Sequence, residues 1–411
     1  MFEVAFSSLL SRRGSVALTL ASLTISMAIV IGVEHIRAQA ESSFVRTVSG
    51  VDLLVGARTS QVNLLLYSVF RIGNATNNIE WQSYEDIAAR SEVSWSIPIS
   101  LGDSHSGYRV LGTNDDYFQH YRYGGSEALR LAEGVPFSNP LQAVLGSEVA
   151  NALGYSVGQE IVLSHGIGNT SFVNHDEFPF TVSGILATTG TPVDRTVHVS
   201  LQGIEAIHLG EGSGTNGLNA SEQLAGLEVD HITAILLGLN SPVAAFGMQR
   251  AINNYPNEPL SAVMPGVALA ELWQIVGTLE NLLGVISILV LTASLLGLST
   301  MLLTSLRERR RELALYRAIG ASPLFILLLI ELEALMITVL AAGLAYLMVA
   351  AGFTVAGAWL SETYALVIEP WPSTPGIWLY ILGAMLAAVV MTLIPASIAF
   401  KKSLAVTLQS A

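Results

Sequence analysis

The densest group of chemically active side chains lies in the basic segment 307–322, with the sequence RERRRELALYRAIGAS. Long apolar runs flank this segment on both sides. Lys and Arg next to a membrane span are retained in the cytoplasm, so the segment is predicted to be a cytoplasmic loop. It is long enough for one amphipathic helix, and Gly320 followed by Pro323 indicates where that helix ends. The loop either only fixes the topology or also contacts a cytoplasmic partner.

Two carboxylates, Glu331 and Glu333, lie inside the apolar run that follows the basic segment. An ionised carboxylate is costly in hydrocarbon, so such residues normally face the interior of a helix bundle, water or a cation. Two positions apart on a helix they point about 200° from each other, so they are not expected to share one partner. A structural contact is favoured, either between helices, with a second copy, or with the arginines of 307–311. A functional relay is the alternative.

Histidines and carboxylates also cluster between positions 165 and 208. A zinc or copper site is one interpretation if the chain folds back on itself, and its candidate ligands are His165, His175, Asp176 and His198. Their spacing matches no metal-binding motif, and histidines in an acidic surface loop are common. A structural role is therefore the competing interpretation.

Motifs for nucleotide hydrolysis and for other familiar enzyme chemistry are missing from the sequence. It contains no GxxxxGK[ST], GxSxG or HExxH pattern, and its only lysines are Lys401 and Lys402. The chain is therefore predicted not to be an enzyme, and any ATP hydrolysis is expected in a separate subunit. Residues 35–274 contain 23 Asp and Glu but only 10 Arg and no Lys, a balance of −13 that argues against nucleic-acid binding.

Hydropathy predicts four membrane spans. The uncharged stretch Gly14–Val33 is too long for a signal-peptide core and follows Arg12 and Arg13, so it is interpreted as an uncleaved first span. The predicted order is a cytoplasmic N-terminus (1–13), span one (14–39), an extracytoplasmic domain (40–270), span two (271–306), a cytoplasmic helix (307–322), span three (323–350), a short outer loop (351–375), span four (376–400) and a cytoplasmic C-terminus (401–411).

The outer segment alternates short strand patterns with short helix patterns, which predicts an α+β domain. One helix is expected at 147–153, with Ser147 as its N-cap. The chain has no cysteine, which fits an extracytoplasmic bacterial domain that folds without disulfides. The predicted fold class is thus an α-helical membrane protein with four transmembrane helices and a large α+β extracytoplasmic domain.

The segment RELALYRAIGAS, followed by an apolar helix containing Glu333-Ala334, resembles the permease family that includes MacB, LolC, LolE and FtsX. Residues 144–201, from VLGSEVANALGYSVGQEIVL through TGTPVDRTVHVSL, resemble the MacB-type periplasmic core domain of that family. The recognisable motifs cover about 80 residues, and the order of parts covers most of the chain.

The resemblance implies a bacterial inner-membrane protein whose partner is a cytoplasmic ABC ATPase, which binds ATP and Mg²⁺ while this chain holds no cofactor. It also implies a second copy or a sister permease in a 2+2 complex, with an extracytoplasmic adaptor or substrate-binding protein as a further partner. The residues expected to face the ATPase are Arg310, Arg311, Glu312, Leu315, Arg317, Ala318 and Gly320.

The function implied by the resemblance is transmission of ATPase-driven motion to the outer domain. That motion would serve export or extraction of a lipid, lipoprotein, peptide or small molecule. The alternatives are an FtsX-like signalling scaffold that controls an extracytoplasmic enzyme, and a metal-linked permease that uses the histidines. No residue in the sequence identifies the substrate.

Overall fold

The computed structural model describes residues 1–47, 49–165, 178–210, 227–364 and 369–409. The chain divides into two compact units. The first comprises residues 1–40, 277–359 and 368–411, and the second comprises 41–276 and 360–367. We call them the helical unit and the sheet unit.

Long helices build the helical unit, and short ones accompany the sheet. Within the described residues the α-helices are α1 (Phe2–Ser11), α2 (Arg13–Thr47), α3 (Gln61–Ser68), α4 (Trp81–Ala88), α5 (Asp116–His120), α6 (Ser147–Leu153), α7 (Leu201–Gly210), α8 (Ala244–Asn253), α9 (Pro265–Glu308), α10 (Arg310–Ala318), α11 (Pro323–Tyr364) and α12 (Pro375–Gln409).

The strands of the described residues all lie in the sheet unit. They are β1 (Leu53–Ala57), β2 (Ile79–Glu80), β3 (Val93–His105), β4 (Tyr108–Thr113), β5 (Arg122–Tyr123), β6 (Glu127–Ala128), β7 (Leu131–Gly134), β8 (Gln142–Leu145), β9 (Glu160–Ile161), β10 (Ser164–His165), β11 (Phe180–Leu186), β12 (Thr196–Ser200), β13 (His231–Ile232), β14 (Ala234–Leu239) and β15 (Leu260–Val263).

The main sheet is mixed, with the order β15-β1-β14-β3-β4-β12-β8-β11-β7, while β10 pairs with β3 and β9 with β11. The pairs β4–β12 and β8–β11 are parallel, and the other pairs are antiparallel. Strand β3 is 13 residues long; its first half pairs with β14 and its second half with β4. One continuous strand therefore joins the two halves of the sheet.

Apolar side chains from both faces of this sheet are buried under the short helices. Leu64, Leu65 and Tyr67 of α3 pack with Leu54 and Leu236 of the sheet in one cluster. Helices α4 and α8 cover a second cluster, and α6 and α7 cover a third. Each such large apolar side chain contributes about 1.5–3 kcal/mol when it is fully buried, so this core accounts for a stable α+β domain.

Four helices of the described residues are long and apolar enough to cross a membrane, over Arg13–Phe44, Pro265–Glu308, Pro323–Gly357 and Pro375–Ser397. Inside the helical unit they share one apolar core with small residues on α11, where Ala334, Ala341 and Ala345 are buried. Small side chains allow close helix approach, which is the usual means of packing in lipid. The predicted fold class is confirmed.

Several boundaries differ from those predicted. Helix α11 continues to Tyr364, so the segment 351–375 is helical in its first half and not simply a loop. The first thirteen residues, predicted only as a cytoplasmic N-terminus, contain helix α1. Hydropathy finds where a helix is apolar and not where it ends, because backbone hydrogen bonds continue into polar sequence until a cap interrupts them.

The expected N-cap of α6 was wrong by one residue. Gly146 occupies that position, and Ser147 is the first helical residue. A Cβ atom on residue 146 would overlap the carbonyl oxygens of Val193 and Asp194. The backbone of the neighbouring turn therefore requires glycine there, and this tertiary contact overrides the capping preference of serine.

Candidate functional site

Helix α10 is a short, sharply bounded helix between the ends of two long ones. It begins after a one-residue break at Arg309 and ends before Gly320, whose φ is 96°. The amide of Ala321 donates to the carbonyl oxygen of Tyr316 at 2.9 Å, which is the hydrogen bond of a Schellman cap. Ser322 then accepts from the amide of Phe325 at 3.2 Å and caps α11. The predicted end of the helix is confirmed.

One face of α10 packs on the helical unit and the other is exposed. Leu313 contacts the apolar core, and the ring of Tyr316 lies 6.5 Å from that of Phe325. On the opposite side Leu315 is 63% exposed and Ile319 is 75% exposed. Arg311 and Ala318, also exposed, share this side by the i, i+4 and i+7 spacing. We call Arg311, Leu315, Ala318 and Ile319 the open face of α10.

A buried ion-pair network lies beside the start of α10. Glu333 on α11 accepts hydrogen bonds from Ser8 Oγ at 2.5 Å, from Arg12 Nη2 at 3.1 Å and from Arg309 Nη1 at 3.0 Å. Arg12 Nη2 and Arg309 Nη1 also donate to Ser8 Oγ. Residues from α1, from the α1–α2 junction, from the α9–α10 junction and from α11 therefore meet at one carboxylate.

The network is shielded from solvent. The side chains of Glu333, Arg12 and Arg309 are 3%, 11% and 12% exposed. A cavity of about 10 Å³ lies beside Arg309 and Glu333, about the space of one water molecule. Removing one partner from such a buried pair leaves an uncompensated charge, which costs about 3–5 kcal/mol. These groups thus fix the positions of their backbones strongly.

Arg309 connects this network to α10 itself. Its Nε donates to Glu312 at 2.7 Å while its Nη1 contacts Glu333. Glu312 lies in the first turn of α10, where a carboxylate interacts favourably with the helix dipole, and its side chain is 60% exposed. Glu312, expected to face a partner, is therefore also the residue through which Arg309 holds the helix.

The other intramembrane carboxylate has a separate partner. Glu331 accepts from Thr392 Oγ1 of α12 at 2.8 Å, so it contacts a different helix from those that Glu333 contacts. The expectation that the two carboxylates cannot share a partner is confirmed by these contacts. The pairing of an arginine from 307–311 with Glu333 also agrees with the structural interpretation made for that residue.

The structure thus places some of the residues predicted to face the ATPase on one face of α10, and the positions of other such side chains stay predictions. Arg311, Leu315 and Ala318 share the open face, while the side chains of Arg310 and Arg317 lie outside the described part. Ser8, Arg12 and Arg309 were missed as site residues. Arg309 belongs to the predicted basic run, but nothing in the sequence singles out the one arginine of that run that turns inward.

The histidines that the structure describes do not form a metal site. No group of three potential ligands is present among the described residues. His198 lies in β12, is fully buried beside the rings of Tyr117 and Phe118, and its Nδ1 contacts the carbonyl oxygen of Val144 at 3.2 Å. Burial, and then the nearby Arg71, lower the pKa of His198 to about 3. His175, Asp176 and the His165 side chain lie outside the described residues, so the zinc site stays a prediction.

Two protein-family models match the sequence. Residues 16–255 match the model of the MacB-like periplasmic core domain, and residues 284–404 match the model of the FtsX-like permease C-terminal region. The first match alone spans more than half of the chain. The comparison with curated proteins found no similar sequence.

Solved structures include extracytoplasmic regions that align with part of this chain. The periplasmic region of MacB from Actinobacillus actinomycetemcomitans has 12% identity and a TM-score of 0.35, and the alignment covers 58% of this chain and 98% of that one. The extracellular domain of the noncanonic ABC-type transporter YknZ from Gram-positive bacteria has 11% identity and a TM-score of 0.30, with coverage of 52% and 98%.

Proposed function

Because the chain belongs to the family of ABC transporter permeases that combine a MacB-like periplasmic core domain with an FtsX-like C-terminal region, we propose that it transmits motion from a cytoplasmic ABC ATPase to its sheet unit. In this proposal ATP and Mg²⁺ are bound by the ATPase. The permease contributes a contact on the cytoplasmic side and a set of membrane helices that move with it.

The observation that carries this proposal is the construction of α10. Its open face presents two largely exposed apolar side chains together with the exposed Arg311, a composition that suits a protein interface. Its other side is fastened through Arg309 to Glu333 of α11. A helix that is free on one side and anchored on the other by buried charge can pass a displacement into the helical unit without bending away from it.

The proposed topology places α10 and both termini in the cytoplasm and the sheet unit outside the cytoplasmic membrane. Arg12 and Arg13, the arginines of 307–311, and Lys401 with Lys402 would then all lie on the cytoplasmic side. The acidic segment 35–274, with its balance of −13, would face the external solution. A bacterial inner-membrane location follows from this arrangement.

The proposed assembly contains two permeases and two ATPases. The described residues of one chain contain one set of four candidate spans and one α10, so pairing two ATPases requires a second copy or a sister permease. The outer unit would then act on a lipid, lipoprotein, peptide or small molecule, or on an adaptor that carries it. In this mechanism the substrate is moved outside the cytoplasmic membrane by the sheet unit.

The test is co-purification of the full-length chain with its ATPase. Arg311→Glu and Leu315→Asp should each reduce ATPase binding at least tenfold, because they place like charge or a desolvated carboxylate in the interface. The matched controls Arg311→Lys and Leu315→Met preserve charge and apolar character and should bind normally. All four variants should insert into the membrane as the parent chain does. Undiminished co-purification of both disruptive variants would remove the assignment.

A further inference from the structure

A cavity opens in the sheet unit where the segment after α3 passes over strands β3 and β4. Its volume is about 320 Å³. The polar side chains that line it are those of Asn74, Asn78 and Arg109, and Gly73, Leu101 and Gly102 also border it. This volume is at the small end of the range for ligand pockets. It accommodates an organic molecule the size of an amino acid but not a whole lipid.

Arg109 is the charged residue of this cavity, and its bonding is incomplete. Its Nη2 donates to the carbonyl oxygen of Gly73 at 2.6 Å and to Asn74 Oδ1 at 3.1 Å. These two contacts use one nitrogen of a guanidinium that carries five N–H donors. Within the described part of the chain no carboxylate forms an ion pair with Arg109.

Burial and a nearby positive charge make the binding of an anion beside Arg109 more favourable. Burial, and secondarily the positive charge of Arg71, lower the pKa of Arg109. Arg71 is held close by a left-handed backbone conformation, with φ of 61°, and by a hydrogen bond to the carbonyl oxygen of Ser68. Arg109 therefore has a second positive charge in its surroundings. A half-buried guanidinium that pairs with no carboxylate of the described residues is a suitable site for a ligand that supplies a negative charge.

We propose that this cavity binds a small carboxylate-bearing molecule through Arg109. A carboxylate oxygen can accept a charge-assisted hydrogen bond from Nη1 or from Nε, the two guanidinium nitrogens that the contacts to Gly73 and Asn74 do not use. The amide group of Asn78 offers a further polar contact, and Leu101 lines the cavity with apolar surface for the carbon skeleton of the ligand.

A monoanion matches this site better than a phosphate. One guanidinium balances one carboxylate, whereas a phosphate monoester approaches two negative charges at neutral pH and has a tetrahedral set of acceptors. Repulsion from the net negative charge of residues 35–274 is screened over roughly 8 Å at physiological ionic strength, so it does not prevent binding. The site does not depend on the coupling role proposed for α10, and either can fail without the other.

The experiment uses the full-length chain in detergent and titrates it with sodium glutamate, sodium succinate and sodium acetate, with sodium chloride as the ionic-strength control. Thermal melting and isothermal titration calorimetry report binding. At least one carboxylate should give a saturable rise in melting temperature that sodium chloride does not give. Sodium phosphate serves as the competing anion and should bind at least tenfold more weakly.

Arg109→Gln should weaken that binding at least tenfold, and Asn78→Leu should weaken it by a smaller factor. Arg130→Gln makes the same charge change at an exposed arginine and should leave binding unchanged. If Arg109→Gln fails to fold, as judged by its melting curve without ligand, Arg109→Lys replaces it. This variant should bind more weakly, because an ammonium has three N–H donors in place of five with which to contact Gly73, Asn74 and the ligand. The proposal is overturned if no carboxylate binds saturably, if phosphate binds equally well, or if the Arg109 and Arg130 variants behave alike.

Discussion

Arg309 joins three other residues of the helical unit at the start of α10. It contacts Ser8, Glu312 and Glu333, which lie 301, 3 and 24 positions away in the sequence. Arg309 and Arg12 share the buried carboxylate of Glu333, and Glu312 is a second anionic partner of Arg309. The same element of sequence, a run of arginines after an apolar stretch, thus serves both topology and tertiary structure.

Replacing Glu333 should therefore destabilise the helical unit far more than replacing Glu331. Glu333→Gln leaves the buried Arg12 without an anion and Arg309 with Glu312 alone, and should cost about 3–5 kcal/mol. Glu331→Gln keeps an acceptor oxygen for Thr392 and should cost no more than about 1 kcal/mol. Denaturant unfolding of the purified chain in detergent measures both. Equal losses for the two variants would mean that the network does not hold these helices together.

The burial of His198 predicts that the free energy of unfolding depends on pH. The unfolded chain takes up a proton on this residue below about pH 6.5, while burial keeps the folded residue neutral down to about 3. The unfolded state then binds more protons, so the free energy of unfolding falls as pH falls through this window, by up to about 1.4 kcal/mol per pH unit.

Hydrogen exchange of the β12 peptide at pH 7 and pH 5 checks this dependence. His198→Phe, which fits among the aromatic neighbours, should lose less protection between the two pH values than the parent chain, once exchange rates are corrected for pH. The exposed His231 provides the control, and His231→Gln should show the parent difference. If His198→Phe lost as much protection between pH 7 and pH 5 as the parent chain does, His198 would not be the cause of the pH dependence.

At the level of elements, α10 is defined by its two ends. The break at Arg309 and the left-handed Gly320 restrict it to nine residues, and Ser322 starts the next helix at once. A short helix of this kind has little stability of its own, because nucleation is costly and few backbone bonds repay it. Its order depends on the caps, on Arg309, and on the packing of Leu313.

Gly320→Ala should therefore loosen α10 without preventing membrane insertion. A side chain at φ of 96° is strained by roughly 1–2 kcal/mol, which should extend or fray the end of the helix. We expect ATPase stimulation by the permease to fall several-fold while some ATPase binding is retained. Gly343→Ala is the matched control, because residue 343 has open space and no positive φ. An ATPase assay on the co-purified complex compares the stimulation by Gly320→Ala with that by Gly343→Ala.

At the level of the whole molecule, charge is separated along the chain. The segments proposed to face the cytoplasm contain both lysines and several arginines, whereas residues 35–274 account for an excess of 13 negative charges. Insertion machinery retains basic segments and allows acidic ones to cross, so this distribution predicts opposite sides of the membrane for the two.

The chain contains no cysteine, which makes the topology directly measurable. Asn151→Cys, in the exposed part of α6, should react with a membrane-impermeant maleimide in cells whose outer envelope is permeable to it. Arg311→Cys should react only after the cytoplasmic membrane is opened. The cysteine-free parent is the control for background labelling. Reaction of both positions under the same condition would contradict the proposed topology.

Local sequence patterns were sufficient to locate the long helices of this chain and the end of α10. Membrane spans must be apolar for about 20 residues, and basic loops must flank them, so hydropathy and charge alone place the four long helices of this chain. The Gly320 cap was equally predictable because only glycine adopts that conformation without strain. The helix ends were not, since α11 continues well past the apolar stretch until Tyr364.

The sequence by itself therefore determined the class of the protein, the number of its spans and the presence of a basic helix between two of them. Only the tertiary structure decided which arginines pair with Glu333, that Gly146 and not Ser147 precedes α6, and that Arg109 lines a cavity without an ion pair among the described residues. Such contacts join residues up to 325 positions apart. They depend on the three-dimensional packing of separate helices and strands, which no local spacing records.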